Sequence, residues 1–255
     1  FNEVTMCSYW KKSYAVVIGL GLLLLGQLAY AGFKVYSPTV EPGEFELEVR
    51  GDNTFDNDPA KNAQPEYRLE AGYGIAPRWF TTLGTTYARN TAGTLESEEI
   101  YWENIIQLTA QGEHWLDAGL YLEYAAPQDN GEPDELEGKV LLEKSVGRYL
   151  NTVNLIFVRH VGRDADNATE FEYAWRTSYY HSKAIQPGIE LYGTMGELGH
   201  VLPASEQDHR AGPVLSGLLG RSDEGKWRYE LGYLFGLSDA APSGTLKFGL
   251  EYEFR

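Results

Sequence analysis

The first residues that could do chemistry are carboxylates at every second position. Glu44, Glu46 and Glu48 alternate with apolar residues in Glu44-Phe45-Glu46-Leu47-Glu48. In an extended strand such residues lie on one face, about 7 Å apart. Paired carboxylates can perform acid–base catalysis. An unbroken row of them is more typical of a charge ladder, so we expect no catalytic residue here.

A hydrolytic site would need a serine nucleophile with a histidine base within hydrogen-bond reach. Tyr180-His181-Ser182 offers these two residue types at adjacent positions. Adjacent side chains of an extended chain point to opposite faces, so the spacing does not predict a catalytic pair. The nucleotide-binding, zinc-protease and haem-attachment motifs are also missing from the sequence. We therefore predict that the protein is not an enzyme and binds no cofactor.

Oxygen-rich and histidine-containing segments raise the question of metal binding. Asp52, Asp56 and Asp58 cluster in one polar segment, and His200 and His209 flank another. Carboxylates suit Ca²⁺, but this spacing is not that of a calcium loop, and two histidines nine residues apart are a weak signal. We predict no metal site. We interpret the acidic segments as a solvated rim.

The N-terminus of this 255-residue chain has the order of a secretory signal peptide. Lys11 and Lys12 precede an apolar run over residues 14–25, and Ala29-Tyr30-Ala31 has the small residues of a cleavage site. We predict that residues 1–31 are an upstream extension plus a cleaved signal peptide, and that residues 32–255 form a transmembrane β-barrel.

Charge and cysteine content restrict what the mature chain could do. Removing residues 1–31 takes away Glu3, Lys11 and Lys12, which leaves 19 basic and 36 acidic residues and a formal charge of −17. Such a balance excludes a nucleic-acid partner on electrostatic grounds. The single cysteine, Cys7, is removed with the signal, so neither a disulfide nor thiol chemistry is expected.

Period-two hydrophobicity dominates the rest of the chain. Apolar and polar residues alternate through Glu44–Arg50 and again through Leu246–Phe254, a pattern that indicates strands rather than helices. Twelve such segments can be counted, each of a length that suits a transmembrane strand. Their approximate centres are Leu47, Ala71, Leu83, Ile106, Leu120, Val140, Leu155, Tyr173, Leu191, Leu215, Leu231 and Leu250. The tenth is the least regular because it contains Pro213, which cannot donate to a strand ladder.

The connections between these segments are predicted to alternate strictly between short turns and longer polar loops. Short periplasmic turns and longer external loops are typical of outer-membrane barrels. We therefore predict an all-β fold: a closed antiparallel up-and-down transmembrane β-barrel of about 12 strands. An even strand count places both termini in the periplasm.

The signal segment, the alternating strands and the aromatic-rich last strand Leu246–Phe254 resemble the small porin-like outer-membrane barrels of Gram-negative bacteria. Members of that class usually end in an aromatic residue that the barrel-insertion machinery reads, whereas here Arg255 follows Phe254. The segment Tyr73–Trp79 is similar to the periplasmic hairpin of several barrel families. The resemblance implies an outer-membrane location, with contacts to lipid, lipopolysaccharide and the insertion machinery. It implies no oligomeric state.

If the apolar rows face lipid, the polar rows line the lumen. These residues could fill a narrow barrel with ion pairs or line a water-filled pore. The predicted lumen-lining residues are Glu44, Glu46, Glu48, Arg50, Arg68, Glu70, Glu103, Asp117, Glu123, Lys139, Glu172, Arg176, Glu190, Arg228, Glu230 and Glu251.

The main functional hypothesis is a passive channel for small hydrophilic solutes with a cation preference. The first alternative is a plugged structural barrel whose acidic external loops bind a partner or lipopolysaccharide. The second is an outer-membrane hydrolase, because twelve-stranded barrels include phospholipases. A secreted β-sandwich is a further alternative for the fold. Only Gly32–Gly43 precedes the first strand, so no N-terminal plug domain is expected.

Overall fold

The computed structural model describes residues 32–90, 93–129, 131–162, 165, 168–222 and 224–255. Residues 1–31 lie outside this range, so cleavage after Ala31 stays a prediction. Within the described residues, no helix is long and apolar enough to cross a membrane. The strands are β1 (Phe45–Phe55), β2 (Pro65–Ala76), β3 (Trp79–Arg89), β4 (Leu95–Gln107), β5 (Asp117–Pro127), β6 (Asp134–Val146), β7 (Tyr149–Val161), β8 (Glu170–Tyr179), β9 (Gln186–Glu197), β10 (His200–Val201), β11 (Asp208–Arg221), β12 (Gly225–Gly236) and β13 (Gly244–Phe254).

The long strands form one closed antiparallel barrel. Each pairs with its neighbours along the chain, β9 pairs with both β8 and β11, and β1 pairs with β13 from Phe45↔Phe254 to Phe55↔Gly244. The two-residue β10 only folds back on the end of β9. The prediction of a closed, all-β, twelve-stranded barrel is therefore confirmed. Closure satisfies the backbone polar groups that an edge strand would leave unpaired.

The outer surface carries the apolar rows of the alternating pattern. Leu47, Leu83 and Leu231 are each about half exposed or more. Aromatic rings flank this aliphatic zone at the short-turn end of the barrel. They contact across strands, with centroid distances of 4.3 Å between Phe45 and Tyr73 and 4.7 Å between Trp227 and Tyr252. This is the arrangement of an apolar band bordered by an aromatic girdle.

The strand that contains Pro213 fits the barrel through an irregular ladder. Pro213 pairs with Ile189 of β9, but the pairing with β12 passes from Ala211↔Phe235 directly to Val214↔Gly232. A Cβ on Gly212 would lie 1.9 Å from the carbonyl oxygen of Tyr233. Strand β11 therefore tolerates a proline because its ladder is interrupted there, and the close approach requires the glycine before it.

The connections define two ends of the barrel, which we call the turn end and the loop end. The turn end includes the tight hairpin at Gly147-Arg148, where Gly147 has a φ of 61°. The predicted strict alternation of lengths is wrong at one place. The β4–β5 connection at the turn end, Leu108–Leu116, is as long as the β1–β2 loop at the other end. Its length comes from Leu108 and Thr109 bonding back to Ala118 and from a turn at Gly112.

The largest difference from expectation concerns the residues before β1, Gly32–Gly43, which we call the inner segment. Instead of forming a short lead-in, it runs along the lumen. Gly43 donates a 2.8 Å hydrogen bond to the carbonyl of Gly74 at the turn end, and Phe33 at the other end contacts the ring of Tyr192, 5.1 Å between centroids. Phe33, Val35, Tyr36, Pro38 and Val40 are buried. The filling of the bore by this segment was not predicted from the sequence, and the absence of an N-terminal plug domain stays a prediction.

Candidate functional site: the lumen

The centre of the lumen is filled where the inner segment meets the wall. Tyr36 forms a buried cluster with Tyr121 of β5 and Leu141 of β6, with the two rings 4.6 Å apart. The backbone of Tyr36 is held by the amide of Asn154, which accepts from its N–H and donates to its carbonyl, both at 2.8 Å. The Lys139 ammonium lies 4.4 and 4.3 Å from the two ring centroids. The inner segment is thus fixed inside the bore.

One group of carboxylates gathers beside the inner segment. Glu46 and Glu48 of β1 and Glu70 of β2 place oxygens within 4.8 Å of one another. The Lys34 ammonium of the inner segment lies among them, hydrogen-bonded to Glu48 and 3.6 Å from Glu70. Arg50 completes the group with a 2.6 Å ion pair to Glu70. We call Glu46, Glu48 and Glu70 the carboxylate trio.

A second charge network joins strands on the other side of the lumen. Lys247 of β13 contacts Glu190 of β9 at 2.8 Å and Glu230 of β12 at 2.6 Å. Arg176 of β8 contacts the same two carboxylates, and Tyr192 donates to Glu190 at 2.9 Å. Both carboxylates of this network therefore have cationic partners, as burial requires.

Towards the loop end the charges are arranged differently. Arg68 contacts Glu66 at 3.2 Å and Glu99 at 3.4 Å, and Lys139 contacts Glu137 at 2.7 Å. Arg210, which the sequence analysis did not single out, binds Asp208 at 2.5 Å. Three of these pairs join residues two positions apart on one strand, and the contact of Arg68 with Glu99 links β2 to β4 across the lumen face of β3.

Most residues predicted to line the lumen are placed in these networks. Arg50, Arg68, Glu70, Glu103, Glu123, Lys139, Glu172 and Glu190 are buried inside the barrel, and Glu44, Glu46, Glu48, Arg176, Arg228, Glu230 and Glu251 border a cavity at its turn end. Asp117 instead accepts a 2.8 Å hydrogen bond from Gly112 and holds the β4–β5 connection. Whether any of them lines a conducting pore stays a prediction.

Several lumen residues were missed by sequence reasoning. Lys247 and Glu253 lie on the polar row of the last strand and could have been found from the alternation alone. Lys34, Tyr36 and Asn154 could not, because the inner segment lacks the strand pattern and Tyr36 bonds to Asn154 across 118 positions.

The other candidate chemical groups serve structural roles. His209 bonds through its ring nitrogens to Tyr173 at 3.0 Å and Gln207 at 2.7 Å. Asp56 accepts hydrogen bonds from the Ser243 backbone and hydroxyl, at 2.7 and 2.8 Å, which joins the first and last external loops. A hydrogen bond from the Asp58 N–H, followed by these two bonds from Ser243, lowers the pKa of Asp56 to about 2.

Comparison with known proteins assigns the fold but not a family. No protein-family model matches the sequence, and no curated protein matches it. Among solved structures, the NanC porin has a TM-score of 0.56 at 11% identity, covering 82% of this chain and 99% of that one. An outer-membrane channel from Pseudomonas putida F1 has a TM-score of 0.56 at 10% identity, covering 88% and 98%.

A third solved structure, the KdgM porin in complex with disordered oligogalacturonate, has a TM-score of 0.50 at 10% identity and covers 83% of this chain and 98% of that one. At these identities the comparisons establish a shared architecture. The chain has the fold of small outer-membrane porins and channels.

Proposed function

We propose that this barrel is a porin-like channel of a Gram-negative outer membrane, which passes small hydrophilic solutes and prefers cations. Three features support the proposal: the porin fold, the apolar outer band, and a polar interior with an excess of acidic residues. The fold similarity to the NanC porin and the Pseudomonas channel supports the transport class without naming a solute.

The observation that carries the proposal is a cavity of about 530 Å³ at the turn end of the lumen. Its wall combines charged side chains with hydrogen-bonding ones such as Thr39, Gln111, Gln186 and Ser216. A structural barrel closed only by ion pairs would not need such a space. A hydrated cavity of this size can admit solutes of a few heavy atoms.

The preference for cations follows from the balance of confined charge. The buried acidic residues are Glu44, Glu70, Glu103, Glu123, Glu137, Glu143, Glu172, Glu190, Asp208 and Glu253, and the buried basic ones are Arg50, Arg68, Lys139, Arg210 and Lys247. An acidic excess inside a low-dielectric wall focuses the field and concentrates counter-ions. Cations should therefore enter more readily than anions.

The inner segment favours a second candidate function, a plugged barrel whose acidic external loops bind a partner or lipopolysaccharide. Tyr36, Tyr121 and Leu141 close the centre of the bore. The external loops are also braced to one another, since Lys61 donates a 2.6 Å hydrogen bond to the carbonyl of Asp239. The two candidates differ in whether solutes pass the inner segment.

Orientation and partners belong to the same proposal. Short turns face the periplasm in outer-membrane barrels, so the start of β1 and the end of β13 would face the periplasm, while Asp56 and its loop would face outward. From the start of β1 the inner segment runs back into the lumen. The outer band would contact lipid and lipopolysaccharide, and the last strand would be read by the insertion machinery. We expect neither enzymatic activity nor a bound cofactor.

The test is planar-bilayer recording of folded protein under a KCl gradient. We expect a reversal potential of the sign that favours K⁺, and a bias that shrinks as the Debye length falls from about 10 Å at 0.1 M to about 3 Å at 1 M salt. Replacing Glu44, Glu46 and Glu48 by glutamine should reduce the preference. Tyr36→Ala should raise single-channel conductance because it removes the ring that fills the bore.

Tyr149→Ala is the matched control, because it removes an exposed tyrosine from the outer surface and should leave conductance unchanged. Absence of current from both the folded wild type and Tyr36→Ala would reject the channel and support the plugged barrel. An anion preference would reject the electrostatic argument alone.

A further inference from the structure

The contacts of Lys34 show how this lumen binds an ammonium group. Its Nζ donates a hydrogen bond to Glu48 Oε2 and lies 3.6 Å from Glu70 Oε2 and 3.9 Å from Glu46 Oε1. The same Nζ lies 4.9 Å from the ring centroid of Tyr36. A primary ammonium has three donors, and here three carboxylates and one aromatic face converge on it.

The charge balance of the carboxylate trio requires this occupant. Besides Lys34, Arg50 supplies the nearby positive charge, with Nη1 2.6 Å from Glu70 and 3.7 Å from Glu48. Without Lys34, three carboxylates would share one guanidinium in a partly desolvated wall. Uncompensated charge in such a place is strongly unfavourable, so the trio would take up another cation.

The trio can be reached from outside the barrel. Lys34, Glu46 and Glu48 all border the cavity at the turn end, and the Lys34 side chain keeps 23% of its surface accessible. A solute that enters the cavity therefore meets Glu46, Glu48 and the Lys34 ammonium together, while Glu70 is buried next to them. Lys34 is carried by a segment that is joined to the wall largely through Tyr36 and Val40, so its position depends on those contacts.

We propose that the carboxylate trio is a binding site for the primary ammonium group of small cationic solutes, and that Lys34 is its tethered resident. The solute class is alkylammonium ions, diamines and basic amino acids. This inference rests on the proposed channel function and names its substrate class. A hard divalent ion fits less well, because Ca²⁺ takes six to eight oxygen ligands while Arg50 already occupies part of the trio.

The test replaces the missing atoms of a truncated side chain. Lys34→Ala removes Cγ, Cδ, Cε and Nζ, which n-propylammonium restores as a free ion. Thermal unfolding of the folded protein in detergent micelles is followed with increasing n-propylammonium. We expect a saturable rise of the midpoint in Lys34→Ala, with an apparent affinity about tenfold or more above that of wild type, since the tethered Lys34 competes at high effective concentration.

Tetramethylammonium at equal ionic strength is the control ion, because it has the same charge but no N–H donor. Lys183→Ala is the control variant, because it removes an exposed lysine outside the lumen and should respond as wild type does. Adding Glu48→Gln to Lys34→Ala should abolish the saturable response. If Lys34→Ala does not fold, Lys34→Gln, whose uncharged side chain is one atom shorter than that of lysine, takes the same series with ammonium ion in place of n-propylammonium.

Equal effects of n-propylammonium and tetramethylammonium would overturn the proposal. A larger saturable stabilisation by CaCl₂ than by n-propylammonium would overturn the ammonium assignment in favour of a divalent ion. Because the readout needs no current, binding without conductance would reject only the channel function. Conductance without a specific ammonium response would reject only this site.

Discussion

Along β5, Leu120 and Leu122 are exposed on the outer surface while the intervening Tyr121 and the following Glu123 are buried in the lumen. The outer residues depend on their immediate neighbours and on the apolar environment around the barrel. The lumen residues depend on partners from distant parts of the chain, such as Tyr36 of the inner segment and Arg68 of β2. The same alternation thus produces an outer surface whose contacts are local and a lumen surface whose contacts require the whole barrel to be folded.

The largest expected effect is the loss of stability caused by a charge on the outer surface. Leu231 lies on β12 between the aromatic residues Trp227 and Phe235, which places it in the middle of the apolar band. Leu231→Arg should lower the free energy of unfolding by about 2–4 kcal/mol in lipid vesicles, because a charge at midplane is poorly solvated. Equilibrium denaturation in vesicles measures this.

Leu198→Arg is the matched control, since Leu198 is a similarly exposed leucine in the loop after β9. It should cost far less because the new charge reaches water. Equal costs at the two positions would contradict the assignment of the outer surface to lipid.

A smaller effect is expected in the lumen. Asn154→Ala removes both hydrogen bonds to the backbone of Tyr36, and leaving a buried polar group unsatisfied costs about 1–3 kcal/mol. Amide hydrogen exchange should accelerate in the inner segment more than in the strands, because that segment is what Asn154 holds.

Asn151→Ala on the same strand provides the comparison. Asn151 accepts a hydrogen bond from Thr177 outside the inner-segment contacts, so its loss should leave exchange of the inner segment unchanged. Protection of Tyr36 that survives Asn154→Ala would show that ring packing alone holds the segment.

The smallest effect concerns a site outside both surfaces, the Asp56–Ser243 link between external loops. The pKa of Asp56 is lowered to about 2 by these hydrogen bonds. A depressed folded-state pKa stabilises the link above the unfolded value near 3.8 and loses it as pH falls through about 2. Ser243→Ala should raise the pKa of Asp56 towards its ordinary value, as measured by carboxyl NMR titration. An unchanged titration would assign the shift to Asp58 instead.

The difference between the outer and the lumen surface explains how much of the structure can be predicted from the sequence. Period-two alternation predicts the strands and the side each residue faces, because both follow from neighbours two positions apart. It also places Glu46, Glu48 and Glu70 on the lumen side. It cannot place Lys34 among them, because Gly32–Gly43 has no period and its partners lie at positions 103, 107 and 154.

The alternating pattern also does not predict where the strands end. Asp52 belongs to a polar segment of loop-like composition, yet β1 continues to Phe55, because Asp52 pairs with Lys247 and Glu66 in the neighbouring ladders. Segments near the loop end of the barrel have a turn-like composition whether or not their strand pairing continues. Pairing with the adjacent strands, which a single sequence does not display, decides where a strand stops.

The position of the inner segment has a consequence for how the barrel is assembled. It precedes β1, yet in the folded barrel it contacts strands far along the sequence, with Tyr36 bonded to a residue 118 positions away. Such distant contacts carry a large loop-closure entropy and form slowly. The β1–β13 seam lies directly next to the point where the segment turns inward at Gly43. We therefore expect closure of the barrel and burial of the inner segment to be coupled steps of assembly.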